Sequence, residues 1–432
     1  NITRENIIGF ASEMKALHPF LCDGTPLVWN NSYNELHNIS KTNYSVLRPY
    51  TIKPFSPGTY SEYSIEFKVN AEWKPILQNK RYISSNFPAT MINFNYHNDL
   101  LNIFNNIVFH LEQAVIKRVL DTCERPIVCL LSGGLDSSLI TAFVKKHYKG
   151  ELRTFSIGMK GSEDLARAKE VAEHLNTTHT EIIVTSEEFF DAIPEVIENI
   201  ESYDTTTVRA SVGNYLIGKY IARETDAKVV FNGDGSDEVT GGYLYFLKSP
   251  SSIEFDGECR NLLENIHMFD VLRSDRCISR HGLEPRTPFL DRTFVNYYLS
   301  LPINLRNPLT SNISNVPNSM CEKQLLREAV THVYPDLIPY DIIWRTKEAF
   351  SDGVSGESGS WFEIIKNKVE NMELEVDSKW THNTPRTKEQ IYYRKIYEEC
   401  YPNTANCIPY FWMPKYVDAD DCSARTLDIY KK

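Results

Sequence analysis

The sequence predicts an α/β fold: a parallel sheet with helices on both faces, a mainly helical part after it, and a β-rich segment before it. Three observations predict this. Short apolar strands alternate with helical repeats in the middle of the chain, two glycine-rich segments stand directly at strand ends, and helices separated by proline-containing loops take over beyond Tyr243.

Residues 1 to about 95 are rich in Asn, Ser, Tyr and Pro and carry short alternating runs such as TYSEYSIEFKV, which read as β-rich and irregular. From Asp99 to Val119, Leu101, Phe104, Ile107, Val108, Leu111 and Val115 recur at helical spacing, predicting an amphipathic linker helix. Ile127 to Leu131 predicts a buried strand, and Ser138 to Tyr148 a helix. Arg153 to Gly158 predicts a second strand, Asp164 to Leu175 a helix, and Glu181 to Val184 a third strand. Helices are then expected over Glu187 to Ile200 and Val212 to Arg223, and a fourth strand over Lys228 to Phe231. Strands joined by helical crossovers form a parallel sheet, and such sheets bind ligands beyond their carboxyl ends. Beyond Tyr243, Pro285, Pro288, Pro302, Pro335 and Pro339 separate helical stretches.

With 432 residues the chain exceeds one usual core, so two or more domains are expected. The formal charge of -11 argues against a nucleic-acid partner. No apolar run approaches the ~20 residues of a membrane helix. Nine cysteines, without a CxxC pair, suit free thiols in a reducing, cytoplasmic setting and argue against structural zinc. His174, His179 and His281 read as packed or solvated residues. The opening NITRENIIGF carries no initiator Met or signal sequence and reads as a chain whose front end has been removed.

The segment Ser132-Gly133-Gly134-Leu135-Asp136-Ser137-Ser138 lies between a predicted strand and a predicted helix. Its glycines let backbone N–H groups approach an anion, and the serines and helix start add donors, so it reads as a phosphate cradle. It lacks the Gly-Lys-Ser/Thr ending of a Walker loop. Asn232-Gly233-Asp234-Gly235-Ser236-Asp237-Glu238 places three carboxylates among glycines at another strand end, where they can hold Mg²⁺ or accept a proton. Taken alone it also reads as a turn with capping acids. Tyr203 to Ala210 offers threonine hydroxyls and Arg209 as an anion clamp. Trp344 to Gly353 places cations in a loop, with Lys347 suited to a departing pyrophosphate. Each of these two also reads as ordinary surface on its own.

Together SGGLDSS, TTTVRAS, GDGSDE with GGY, GLEPRTPFLD, KEAFSDGVS and FWMPKY resemble glutamine-hydrolysing asparagine synthetases, particularly the eukaryotic form. The resemblance runs from about residue 125 to the C-terminus. Phe10 to Leu17 (FASEMKAL) and Ser56 to Tyr60 (SPGTY) resemble the rear of that family's glutaminase domain. It implies a glutaminase remnant plus linker over 1–98 and, over 99–432, an adenine nucleotide α-hydrolase-like synthetase domain with a PP-loop.

The implied reaction is ATP-dependent amidation of L-aspartate through β-aspartyl-AMP, releasing AMP and pyrophosphate, with ATP and Mg²⁺ as cofactors. By position, Leu131, Ile157, Asn232 and Gly233 match contacts to adenine and ribose. Ser132, Gly133, Gly134, Asp136, Ser137 and Ser138 match the pyrophosphate loop. Asp136 and Asp237 are placed for the metal, with Asp237 also a catalytic candidate near the reacting centre, Thr206 and Arg209 for aspartate and its adenylate, and Lys347 for pyrophosphate. Asp234 matches the position linked to adenylate formation and to the proton of ammonia. Arg286 is expected to support the site. The family writes SGEGSDE where this chain has Asn232 and Asp234, and the withdrawn carboxylate lowers the expected activity.

The family's glutaminase nucleophile is a cysteine that begins the mature chain; residue 1 here is Asn, and the first cysteine is Cys22. Free ammonia is therefore the expected nitrogen source of this chain, and glutamine that of a full-length parent. The expected partners are small molecules, with neither nucleic acid nor membrane, and a homodimer is compatible with the resemblance. The alternatives are a nucleotide-binding relative without catalysis, or another adenylating ligase: a β-lactam synthetase-like enzyme, an NAD synthetase or a tRNA-thiolating enzyme.

Overall fold

The computed structural model describes residues 9–17, 52–67, 71–83, 99–122, 124–311, 313, 321–346, 353–356 and 359–423. The chain forms two compact units, Asn1–Ser85 with Tyr397–Pro409, and Asn86–Ile396 with Tyr410–Lys432. In the first, β1 (Thr59–Phe67) and β2 (Ala71–Arg81) pair antiparallel from Thr59↔Arg81 to Phe67↔Ala71.

The second unit begins with α1 (Leu100–Leu120), followed by β3 (Ile127–Leu130), α2 (Leu135–His147), β4 (Arg153–Met159), α3 (Glu163–Leu175) and β5 (Thr178–Val184). Then come α4 (Ser186–Asp191), α5 (Ile193–Ile200), α6 (Thr205–Glu224), β6 (Val229–Phe231), α7 (Ser236–Thr240), α8 (Ser252–Asn265), α9 (Asp270–Ser279) and β7 (Glu284–Arg286). Among the described residues the further helices are α10 (Arg292–Ser300), α11 (Ile303–Arg306), α12 (Gln324–Val333), α13 (Tyr340–Ile343), α14 (Trp361–Glu370) and α15 (Lys388–Cys400), the last of which ends in the first unit from Tyr397 on. No helix among the described residues is long and apolar enough to cross a membrane.

The five strands β5-β4-β3-β6-β7 form one sheet with every neighbouring pair parallel. The chain runs outward from β3 through β4 to β5, then returns to the other side of β3 with β6. Connections after β3 and β6 therefore diverge, opening a crevice at their carboxyl ends. Both glycine-rich segments start there.

Four details differ from the sequence reading. The helix expected over Glu187 to Ile200 is two helices, because Pro194 lacks the N–H that would continue the first and instead sits in the opening turn of α5. Helix α6 begins at Thr205, seven residues before the expected start at Val212: Asp204 caps it by accepting from the Thr207 N–H at 2.9 Å, which outweighs the poor helix propensity of a threonine run. The β7 strand interrupts the part read as helical. It has three residues including Pro285, a composition tolerated at a sheet edge and nearly invisible to periodicity. Lastly, α1 is a wall of the core and not a linker. Ile107, Leu111, Ala114 and Val115 are fully buried, and the helix packs on α2, α10 and α12.

Asp291, at the end of GLEPRTPFLD, ties α10 to α1. It caps α10 through the Thr293 N–H (3.0 Å) and pairs with Lys117 (2.8 Å) and Arg118 (3.0 Å). Burial alone would raise its carboxyl, but the hydrogen bonds from Lys117, Arg118 and Thr293 outweigh it and pull it down to about 2 from an ordinary 3.8. A depressed carboxyl stabilises the fold above its unfolded value, and that contribution fades as pH falls from about 4 to about 2. It amounts to about 2 kcal/mol. Asp291→Asn is expected to lose most of this at pH 7, and the gap to wild type to narrow toward pH 3 in urea unfolding. A gap independent of pH would overturn that account.

Candidate active site

The first glycine-rich segment leaves β3 and enters α2 as the sequence predicts, with Gly134 as the N-cap. Gly133 has φ +72, and a Cβ there would meet the Ala168 nitrogen at 2.5 Å, so it serves the packing against α3. Within the loop, the Ser132 N–H donates to Ser137 Oγ (3.1 Å), and the two serine hydroxyls lie 3.0 Å apart. The loop is thus held open by its own side chains around the start of a helix, an arrangement suited to phosphate.

The second segment leaves β6 beside it. A Cβ on Gly233 would meet the Asp136 Cβ and the Ser137 nitrogen at 2.8 Å, so glycine permits the two loops to touch. Ser236 donates to Asp136 Oδ1 at 2.8 Å and links them. Strand β7 steadies this loop from behind, where the Asn232 N–H donates to the Arg286 carbonyl at 3.1 Å. Arg286 itself faces Glu284 at 3.0 Å and supports the site through its backbone.

Both loops open into one cavity at the carboxyl edge of the sheet. Leu131, Ser132, Gly134, Asp136, Ser137, Ile157, Thr206, Arg209, Asn232, Gly233, Asp234 and Asp237 line it, so most residues singled out in the sequence converge. Gly133 and Ser138 are not part of its wall, and the Ser138 side chain is fully buried. Lys347 lies outside the described residues. Arg345 from the same motif does line the cavity, paired with Asp164 at 3.0 Å, and Thr346 lines it too.

Arg209 is engaged inside the protein. Its Nε and Nη2 donate to Glu389 at 2.8 and 2.6 Å, and Nη1 and Nη2 to Asp421 at 2.7 and 2.8 Å. Burial opposes its charge, but the two carboxylates outweigh that and hold it firmly protonated. Asp421 is the more exposed partner, at 27% against 7% for Glu389.

Four residues that sequence reasoning missed also line the cavity: Lys323, Asp270, Arg273 and Trp412. Trp412 belongs to FWMPKY; its backbone N–H donates to Asp204 at 2.7 Å, fastening this segment to the start of α6. Asp270 and Arg273 form an ion pair one helical turn apart, a spacing that reads in sequence as ordinary helix surface. Arg273 lies 3.6 Å from Asp234. Behind them, burial together with the neighbouring Asp270 and Asp237 pushes the Glu238 carboxyl well above the usual range, and the Tyr243 hydroxyl donates to it. Nothing in the sequence around Lys323 marks it. Its Nζ lies 2.5 Å from Asp136 and 2.7 Å from Asp237.

A helix-capped phosphate loop beside a carboxylate-bearing loop, at the switch point of a parallel sheet, defines a nucleotide-using α/β enzyme. The chain belongs to the asparagine synthase family, whose profile matches residues 109–258 and 248–410. It is 43% identical over 395 residues to the glutamine-hydrolysing asparagine synthetase of Homo sapiens, covering 88% of this chain and 68% of that one. The corresponding enzyme of Gallus gallus is 44% identical over 393 residues, with the same coverage of each chain.

Proposed function

We propose that the chain is an AMP-forming ligase that makes asparagine. The side-chain carboxylate of L-aspartate attacks the α-phosphorus of ATP, pyrophosphate leaves, and ammonia displaces AMP from the β-aspartyl adenylate. Family membership supports the reaction. The observation that carries it for this chain is the meeting of the two glycine-rich loops in one cavity.

In this reading adenine and ribose lie against Leu131, Ile157 and the backbone of Asn232 and Gly233. The loop 132–138 takes the pyrophosphate: Ser132 and Ser137 turn their hydroxyls from each other to the phosphate oxygens, and the α2 N-terminus adds its dipole. Thr206 and Arg209 orient aspartate, and Lys347 stabilises the departing pyrophosphate. Ammonia gains positive charge as it attacks, and Asp234 accepts the proton released before AMP leaves.

Asp136 and Asp237 also fit Mg²⁺. Their oxygens converge on one point, the Lys323 nitrogen, at 2.5 and 2.7 Å. Among the described residues no group of three or more Asp, Glu, His or Cys is arranged to hold a metal, so the two carboxylates would hold the ion only together with the nucleotide's phosphates and water. An ion held there would supply charge to neutralise the phosphates. Residues 1–98 are assigned to the rear of a glutaminase domain on FASEMKAL and SPGTY, and 99–432 to the synthetase domain.

Incubated with ATP, L-aspartate and ammonium, the chain is expected to produce AMP, pyrophosphate and asparagine in equal amounts. ADP and orthophosphate in their place would overturn the reading of the loop.

A further inference from the structure

Lys323 is 1% exposed, and the reaction outlined above gives it no task. A buried ammonium is costly unless paired, and three features show that the fold is built around this one. First, its backbone has φ +58 and ψ +22, a left-handed conformation unfavourable for a side chain that carries a Cβ. Second, its stem passes through a slot left by Gly242: a Cβ there would meet the Lys323 Cε at 2.0 Å and Asp237 Oδ1 at 2.2 Å. Third, its nitrogen joins both loops, 2.5 Å from Asp136 Oδ2, 2.7 Å from Asp237 Oδ1 and 3.4 Å from Ser236 Oγ.

Two carboxylates this close repel unless a cation stands between them. We infer that Lys323 is the counter-cation of Asp136 and Asp237 whenever no divalent ion is bound: it occupies the place between them that a divalent ion would take with nucleotide, and the two exclude each other. A divalent ion on the same oxygens would lie within a few ångströms of the ammonium and be repelled by it. When nucleotide arrives, its phosphates offer the ammonium new acceptors, and the flexible stem lets it turn to them. The metal therefore enters with the nucleotide and binds poorly alone. Lys323 acts as a positioning residue that sets this order of loading.

This inference rests on the nucleotide reading of the cavity, but its test needs no nucleotide, so AMP formation and metal binding can fail separately. The full chain is titrated with Mn²⁺ alone, and the free ion is followed by electron paramagnetic resonance. Lys323→Met keeps the stem and removes the charge; it is expected to bind Mn²⁺ ~10-fold or more tightly than wild type. Adding Asp237→Asn to that variant should cancel the gain. Should the methionine variant fail to fold, Lys323→Gln carries the same expectation with a polar tip between the carboxylates. Mn²⁺ binding that is unchanged or weaker in the folded Lys323 variant, or a gain that survives Asp237→Asn, overturns the inference.

Discussion

Asp234→Ala is expected to abolish asparagine formation, lowering the rate at least ~100-fold, whereas Asp234→Glu is expected to preserve it. Asp234 follows Gly233 at the end of β6 and lines the cavity. Its N–H donates to Asn232 Oδ1 at 3.3 Å, and its carboxylate faces Arg273 at 3.6 Å. In the proposed reaction this carboxylate accepts the proton of the attacking ammonia. Alanine removes the acceptor and leaves Arg273 with Asp270 as its ionic partner. Glutamate keeps the charge and extends its reach by one methylene. Two rates separate the steps: asparagine formation at fixed pH, and aspartate-dependent exchange of pyrophosphate into ATP. Retained exchange with lost asparagine in the alanine variant would place Asp234 in the amination step. A fully active alanine variant would exclude it from the chemistry. An inactive glutamate variant would mean that the cavity is shaped around the shorter side chain.

The second large effect is expected on stability. Arg209 is 3% exposed and is shared by Glu389 on α15 and Asp421 near the C-terminal end of the described chain. Removing one member of a buried ion pair leaves the others charged and unpaired, which costs about 3–5 kcal/mol. Arg209→Met should therefore lower unfolding free energy by about that amount in urea. Glu389→Gln in the same protein should recover part of it, because a neutral amide no longer needs the guanidinium. The clamp also carries Cys422, whose thiol lies 3.4 Å from the guanidinium and is pushed up to about 12, chiefly by burial. A loss below about 1 kcal/mol in Arg209→Met would mean that the two carboxylates find water in the native state.

These two sites mark the division between what sequence and tertiary structure contribute. The sheet, the crevice and both glycine-rich loops were legible in the chain, because each is a local pattern: apolar runs, helical spacing, and glycines where the backbone must turn. Asp136, Asn232 and Asp234 were found because they sit inside those patterns. The partners of these groups were not. Lys323 and Asp136 are 187 positions apart, and Arg209 and Glu389 are 180 apart. Periodicity reports the conformation of a segment and which face it buries, but an ion pair depends on the distance between segments, which exists only once the chain has folded. Sequence therefore determined that Arg209 and Asp136 stand in segments that open at the sheet edge. Only the tertiary structure decided that Arg209 is held by two internal carboxylates, and that a lysine fills the gap between the two aspartates.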